Sequence, residues 1–255
     1  MCKSSKQRQN KIDGKDLLHA DELMIAVTFA LPAESSGFLR RLHNKSRSHR
    51  NGVTAVRGEI DHRAIEVFHT GVSEKTCRQR IRRFLQDQQF DYLISAGFAG
   101  ALNDQLQAGD LLLAKNFSIV DLSGVRSSLA NFPVHMANLL TVPSMIESRE
   151  ERNKIAQTTG ALAVDMETEF IARACTEHGV PLLSLRAITD TLREPFPAPA
   201  KVLFDIDRQQ TSVIKLVLYL VKHPSAIPRL IVFARRVARA RSTLTNALLA
   251  VVRNL

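Results

Sequence analysis

From Leu23 onward the chain alternates short apolar runs with segments of helical spacing. LMIAVTFAL is a run of the length of a buried strand, and PAESSGFLRRL follows it with a helix-like pattern. The polar stretch at 43–52 predicts a turn. VTAVRGEI and RAIEVFHTGV predict a strand pair folded about Asp61-His62. Residues 74–90 have helical spacing with a basic outer face, and DYLISAGFAGAL at 91–102 predicts a strand ending in a glycine-rich turn. Strands are then expected in GDLLLAKNFSIV, NLLTVP, ALAVDM and PLLSLRAITD, with helices in SREERNKIAQTTG and ETEFIARACTEHG. Such alternation predicts an α/β fold: a single mixed central β-sheet flanked by helices, followed by a basic helical extension. The C-terminal segment predicts two helices, 213–221 and 227–252, separated by His-Pro-Ser. In the second, Leu230, Phe233, Val237, Leu244 and Leu248 form an apolar stripe with arginines around it.

Charge sharpens this division. Of 35 Lys and Arg and 25 Asp and Glu, nine bases and no acid fall in 208–255, so the body is nearly neutral and the tail carries nine of the ten units of formal net charge. The expected organisation is a disordered lead-in over 1–21, a catalytic domain over 22–207 and a basic amphipathic tail over 208–255. A tail of this kind suits an acidic partner, such as a membrane surface, or packs its apolar stripe on protein. Base-reading motifs and aromatic interleaving are missing, so nucleic acid is not an expected partner. Three scattered cysteines, Cys2, Cys77 and Cys175, fit neither a disulfide framework nor a thiolate zinc site and suit a cytoplasmic protein. The 16 N-terminal residues carry no apolar signal core, and the longest apolar run, 213–221, is half a membrane span and contains Lys215.

Three carboxylates stand just past predicted strand ends, where an open α/β sheet forms its ligand crevice: Glu34, Glu167 and Asp190. Each also has a purely structural reading as a first-turn charge or cap, and Asp165 as the cap of the following helix. Gly71, Gly97 and Gly100 allow close approach of backbone to a ligand or simply make tight turns. Neither GxGxxG nor a Walker A loop is present, and His69 and His135 have no partners at metal-ligand spacing, so no cofactor or metal is expected.

Taken together, ISAGFAGALNDQLQAGDLLLA, GALAVDMETEFIARACTEHGVPLLSLRAITD and the Ala30-to-Glu34 spacing resemble the nucleoside phosphorylase and nucleosidase superfamily over roughly 22–206. A closer resemblance is to nucleosidase-like proteins of hopanoid lipid synthesis, carried by Thr159 to Thr168 and KHPSAIPRL. This resemblance implies catalytic roles for two acids: Asp190 protonates the leaving purine at N7, and Glu34 orients and deprotonates water. It further implies that Glu167 accepts hydrogen bonds from ribose hydroxyls, that Met166 packs on the sugar face, and that Gly97, Phe98 and Met145 contact substrate. Two acids flanking a cationic sugar follow the logic of an inverting glycosidase. Where phosphorylases of the superfamily bind phosphate with Arg and Ser, this chain has Ser95 and Phe98. That departure favours water, although Arg40, Arg41 or Arg57 keep phosphorolysis open.

The segment between Asn116 and Ala161 is short for the family, which suits an open site or a bulky 5′ group. The expected activity is hydrolysis of a 5′-modified adenine nucleoside, with adenosylhopane, giving ribosylhopane and adenine, as the named candidate. A purine nucleoside phosphorylase and a non-catalytic nucleoside-binding or membrane-scaffolding protein are the alternatives. The resemblance also implies a homodimer, and the tail implies peripheral contact with the inner face of the membrane.

Overall fold

The computed structural model describes residues 23–193, 219 and 222–255. The lead-in, the first tail helix apart from Tyr219, and Cys2 lie outside the described residues. The elements are β1 (Met24–Phe29), α1 (Pro32–Leu39), β2 (His43–Arg50), β3 (Val53–Ile60), β4 (Arg63–His69), α2 (Glu74–Leu85) and β5 (Tyr92–Ala101). They continue through β6 (Leu111–Ala114), α3 (Leu122–Ser128), β7 (Val134–Ala137), β8 (Leu139–Thr141), α4 (Arg149–Thr159), β9 (Ala163–Asp165), α5 (Thr168–His178) and β10 (Leu182–Asp190). A short 3₁₀ turn, Pro224–Ala226, leads into α6 (Ile227–Asn254).

The strands form one mixed sheet in the order β2-β3-β4-β1-β5-β10-β6-β7, with β9 paired to β5 and β8 to β9. β4, β1, β5 and β10 run parallel, so their carboxyl ends gather on one edge. Neighbouring residues of these strands face opposite layers. Ile25, Val27, Ile94, Leu183 and Leu185 meet α1, α3 and α6, whereas Ala26, Leu93 and Leu182 meet α2 and α5. This burial on both faces is why the parallel strands read as continuous apolar runs.

Four elements differ from the sequence expectation. The polar stretch 43–52 is mostly strand, β2, closed by Asn51-Gly52; its side chains are nearly all exposed, so no hydrophobic alternation marked it. β5 runs straight through Gly97 and Gly100 rather than turning there. α3 and β7 occupy a stretch that had no expected element. The Asp61-His62 turn is as expected, with φ of 48° and 65° at its two residues.

α6 is amphipathic, and its two halves differ. Ala240, Leu244, Ala247, Leu248, Val251 and Val252 are buried in the largest core cluster. Arg253 Nε donates to Asp61 Oδ2 at 2.6 Å, anchoring the helix end on the β3–β4 turn. In the first half Leu230, Phe233 and Val237 are half-buried, while Ile227, Ile231 and Val232 are exposed alongside Arg229, Arg235 and Arg239. Among the described residues, no helix is long and apolar enough to cross a membrane.

Candidate active site

Glu34 sits in the first turn of α1 and bridges two backbone segments. Its Oε2 accepts from the N–H of Leu31 and its Oε1 from the N–H of Phe98, both at 2.9 Å. The first bond is a helix-start contact, so the structural reading of this acid holds; the second ties α1 to β5. Gly97 makes room for it, since a Cβ there would lie 3.1 Å from Glu34 Oε1. Burial pushes the Glu34 carboxyl above the usual glutamate range, against the two amides and the charge of Arg186.

Glu167 directly precedes the first turn of α5, makes no capping bond with its side chain, and is buried. Its carboxyl is held well above the ordinary range, first by burial and then by the charges of Asp165 and Glu34. Glu34, Glu167, Gly97, Phe98 and Arg186 line one small cavity of about 10 Å³. Thr28, Thr70 and Ser95 complete its polar wall, and Thr28 Oγ1 is buried there with no hydrogen-bond partner. An orphaned hydroxyl in so small a space, facing two acids, suits a water molecule.

Arg186 lies within LLSLRAITD, and a charge inside a fully buried strand must be paired somewhere. Its Nε donates to Asp165 Oδ2 at 3.0 Å and Nη1 to Ser95 O at 2.7 Å, while Nη2 donates to Ser95 Oγ at 2.8 Å and to Thr168 Oγ1 at 2.5 Å. Asp165 also accepts from the N–H of Thr168 at 3.1 Å, so it caps α5 as expected while holding Arg186. With its donors engaged by protein, Arg186 acts as a fixed positive charge beneath the two acids rather than as an anion clamp.

The structure brings together Glu34, Glu167, Gly97 and Phe98, but not Asp190. That residue ends β10 outside the lining of this cavity, next to Gly100, and is paired with Arg152 at 2.5 Å. Glu34 and Asp190 therefore bracket a three-residue stretch of β5 rather than sharing one wall. Met166 is half-buried against Leu102, Val142, Ile146, Ala161 and Val164, its core reading, and Met145 is half-buried outside the cavity lining. Arg40 and Arg41 are exposed, and Arg57 pairs with Glu66 at 3.2 Å, so none of these three alternatives lines the cavity. A larger cavity of about 430 Å³ lies between α3 and the end of α6; its one carboxylate side chain, Asp121, caps α3 and supplies no acid pair.

The raised carboxyls carry a stability consequence. A carboxyl that binds its proton more tightly in the folded protein than in the unfolded chain stabilises fully below the usual glutamate range, and that contribution is lost as pH rises through the folded value. Glu167→Gln is therefore expected to raise Tm above wild type at pH 8, each kcal/mol appearing as about 2–4 °C. The difference should shrink toward pH 4. Differential scanning calorimetry across this range reads it, and a variant less stable than wild type at pH 8 contradicts the assignment.

Comparison with known proteins gives consistent relationships. The sequence profile described as phosphorylase superfamily matches residues 125–222. The chain is 22% identical over 196 residues to the 5′-methylthioadenosine/S-adenosylhomocysteine nucleosidase of Staphylococcus epidermidis, covering 66% of this chain and 86% of that protein. In three dimensions it is similar to the futalosine hydrolase of Helicobacter pylori, with a TM-score of 0.69, 16% identity and coverage of 92% and 99%. A similar likeness relates it to the Streptococcus pneumoniae MTA/SAH nucleosidase bound to 8-aminoadenine, with a TM-score of 0.68, 19% identity and coverage of 91% and 100%.

Proposed function

We propose that this chain, whose residues 125–222 match the phosphorylase superfamily profile, is a nucleosidase hydrolysing the N-glycosidic bond of a 5′-modified adenine nucleoside. The observation that carries this reading is the pair of buried acids, Glu34 and Glu167, facing one small polar cavity beside Gly97 and Phe98. Cleavage of a nucleoside places positive charge on the anomeric carbon and ring oxygen. The cavity lining carries two carboxyl groups, Glu34 and Glu167, and one guanidinium, Arg186, already paired with Asp165, so when ionised the two glutamates favour a cation.

In the proposed reaction Glu34 takes a proton from water while that oxygen forms a bond to the anomeric carbon. Glu167 holds the ribose hydroxyls, and the C–N bond electrons pass to the purine, which receives a proton from Asp190. Water is favoured over phosphate because the one guanidinium lining the cavity is engaged by Asp165, Ser95 and Thr168. The kinship with the named nucleosidase and hydrolase supports the same class of chemistry.

The finer substrate proposal is adenosylhopane. Its support is the exposed first half of α6, where Ile227, Ile231 and Val232 lie among Arg229, Arg235 and Arg239, a surface suited to anionic lipid. Equal flotation of wild type and Ile231→Asp with anionic liposomes would remove that part. The proposal extends to a homodimer, for which the exposed Ile119 beside the larger cavity offers an apolar contact and sedimentation velocity reads the mass. Adenine release from 5′-methylthioadenosine is the direct assay. It should proceed without phosphate and be unchanged by adding it; dependence on phosphate would make the protein a phosphorylase, and tight binding without release a binding protein.

A further inference from the structure

Asp190 is not alone beneath β5. Arg152 projects from α4, a helix whose other charged side chains are exposed or half-buried, and is only 3% exposed. Its Nε donates to Ile146 O at 2.9 Å, its Nη1 to Ala101 O at 3.0 Å and its Nη2 to Asp190 Oδ2 at 2.5 Å. The other carboxylate oxygen accepts from Thr189 Oγ1 at 3.1 Å. Gly100 permits this arrangement, because a Cβ there would lie 2.9 Å from Asp190 Oδ2 and 3.3 Å from Arg152 Nη1.

The two carbonyls fix the guanidinium independently of Asp190, so Arg152 does not follow the carboxyl group if it moves or takes a proton. A general acid must carry a proton, and a guanidinium in direct contact favours the form without one. We propose that Arg152 is the positioning residue of this acid: it fixes the Asp190 carboxyl group against β5 and competes with the proton for it, so that Arg152 sets the pH above which base release fails.

This inference rests on the reading of Asp190 as the acid that protonates the leaving purine. Among the described residues, the charged and polar side chains acting on Asp190 are Arg152 from α4, Thr189 on its own strand and Arg236 from α6, and Gly100 of β5 packs against its carboxyl group. Burial, the largest influence, pushes the Asp190 carboxyl up, and Arg152, Thr189 and Arg236 pull it down. Removing the charge of Arg152 therefore lets Asp190 keep its proton to higher pH.

The experiment is the pH profile of kcat/KM for adenine release from 5′-methylthioadenosine by wild type, Arg152→Leu, Arg152→Gln and Arg152→Lys. Both neutral variants should move the alkaline limb upward by about one pH unit or more, roughly a tenfold gain relative to their own optimum at a pH where wild type has failed. Arg152→Lys should leave the limb near its wild-type position. Should Arg152→Leu not fold, Arg152→Gln carries the same comparison, since its amide still donates a hydrogen bond. A uniform loss of rate at every pH, with the limb unmoved, assigns Arg152 a merely structural role and overturns the proposal.

A readout that needs no turnover accompanies it: the ¹³C carboxyl resonance of Asp190, identified by its loss in Asp190→Asn, should titrate at higher pH in Arg152→Gln than in wild type. If wild type released no adenine at any pH, the nucleosidase reading would fall. The carboxyl titration would still decide whether Arg152 controls the proton on Asp190.

Discussion

Glu34→Gln is expected to lower kcat for adenine release by about 10²–10⁴-fold, the range a positioned general base contributes. Glutamine preserves the shape of the side chain but cannot take a proton from water. The structure also dictates a secondary cost. Both carboxylate oxygens accept backbone N–H bonds, from Leu31 and Phe98, and an amide offers an oxygen to only one of them. Leaving the other donor unsatisfied costs about 1–3 kcal/mol. Thermal unfolding should therefore shift modestly while activity falls by orders of magnitude. KM should change little, because the ribose hydroxyls are assigned to Glu167. Retention of kcat within about tenfold of wild type would remove Glu34 from the role of base.

Asp190→Asn is expected to reduce adenine release by a similar factor, about 10²–10⁴-fold, since the purine would depart without its proton. Its structural consequence is larger than that of Glu34→Gln. Arg152 and Asp190 are 3% and 2% exposed as side chains, and breaking a buried pair by removing one charge costs about 3–5 kcal/mol. Two measurements separate chemistry from folding. Asp190→Asn should retain turnover of a riboside whose leaving group needs no proton, such as p-nitrophenolate, whereas Glu34→Gln should lose it. The double variant Arg152→Gln/Asp190→Asn, which removes both charges, should unfold at higher temperature than Asp190→Asn alone. Loss of the p-nitrophenyl riboside activity in Asp190→Asn would show that this residue does more than donate a proton, or that the variant is misfolded.

Those two acids also show what the chain disclosed in one dimension and what it hid. Glu167 follows the short apolar β9, which pairs antiparallel to the end of β5; Glu34 follows the buried parallel strand β1, so its place at the sheet edge follows from fold class. The environment of Asp190 did not, because Arg152 lies in SREERNK among Arg149, Glu150 and Glu151. Nothing in the spacing of a polar helix says which of its charges turns inward. Arg186 was discoverable, since a lone charge in LLSLRAIT has to find a buried partner. β2 escaped notice for the opposite reason: with both faces mostly wet, HNKSRSHR has no period to read, and only pairing with β3 makes it a strand. Glycines misled at β5, where Gly97 and Gly100 serve Glu34 and the Arg152–Asp190 pair by lacking a side chain, not by turning the backbone. In α6 the apolar stripe was legible, but not its division: Leu244 and Leu248 are core residues, whereas Leu230, Phe233 and Val237 are half-buried.

The claim beneath all of this is that a nucleoside lies with its sugar between the carboxyl groups of Glu34 and Glu167 and its purine directed along β5 toward Asp190. A crystal structure of the protein with 5′-methylthiotubercidin, whose base cannot accept a proton at the seventh position, tests it most directly. Ribose hydroxyls on Glu167, a water or its vacant site facing Glu34, and the five-membered ring of the base turned to Asp190 are the expected result. An analogue bound instead in the cavity between α3 and the end of α6, or with its sugar remote from both glutamates, would contradict the account.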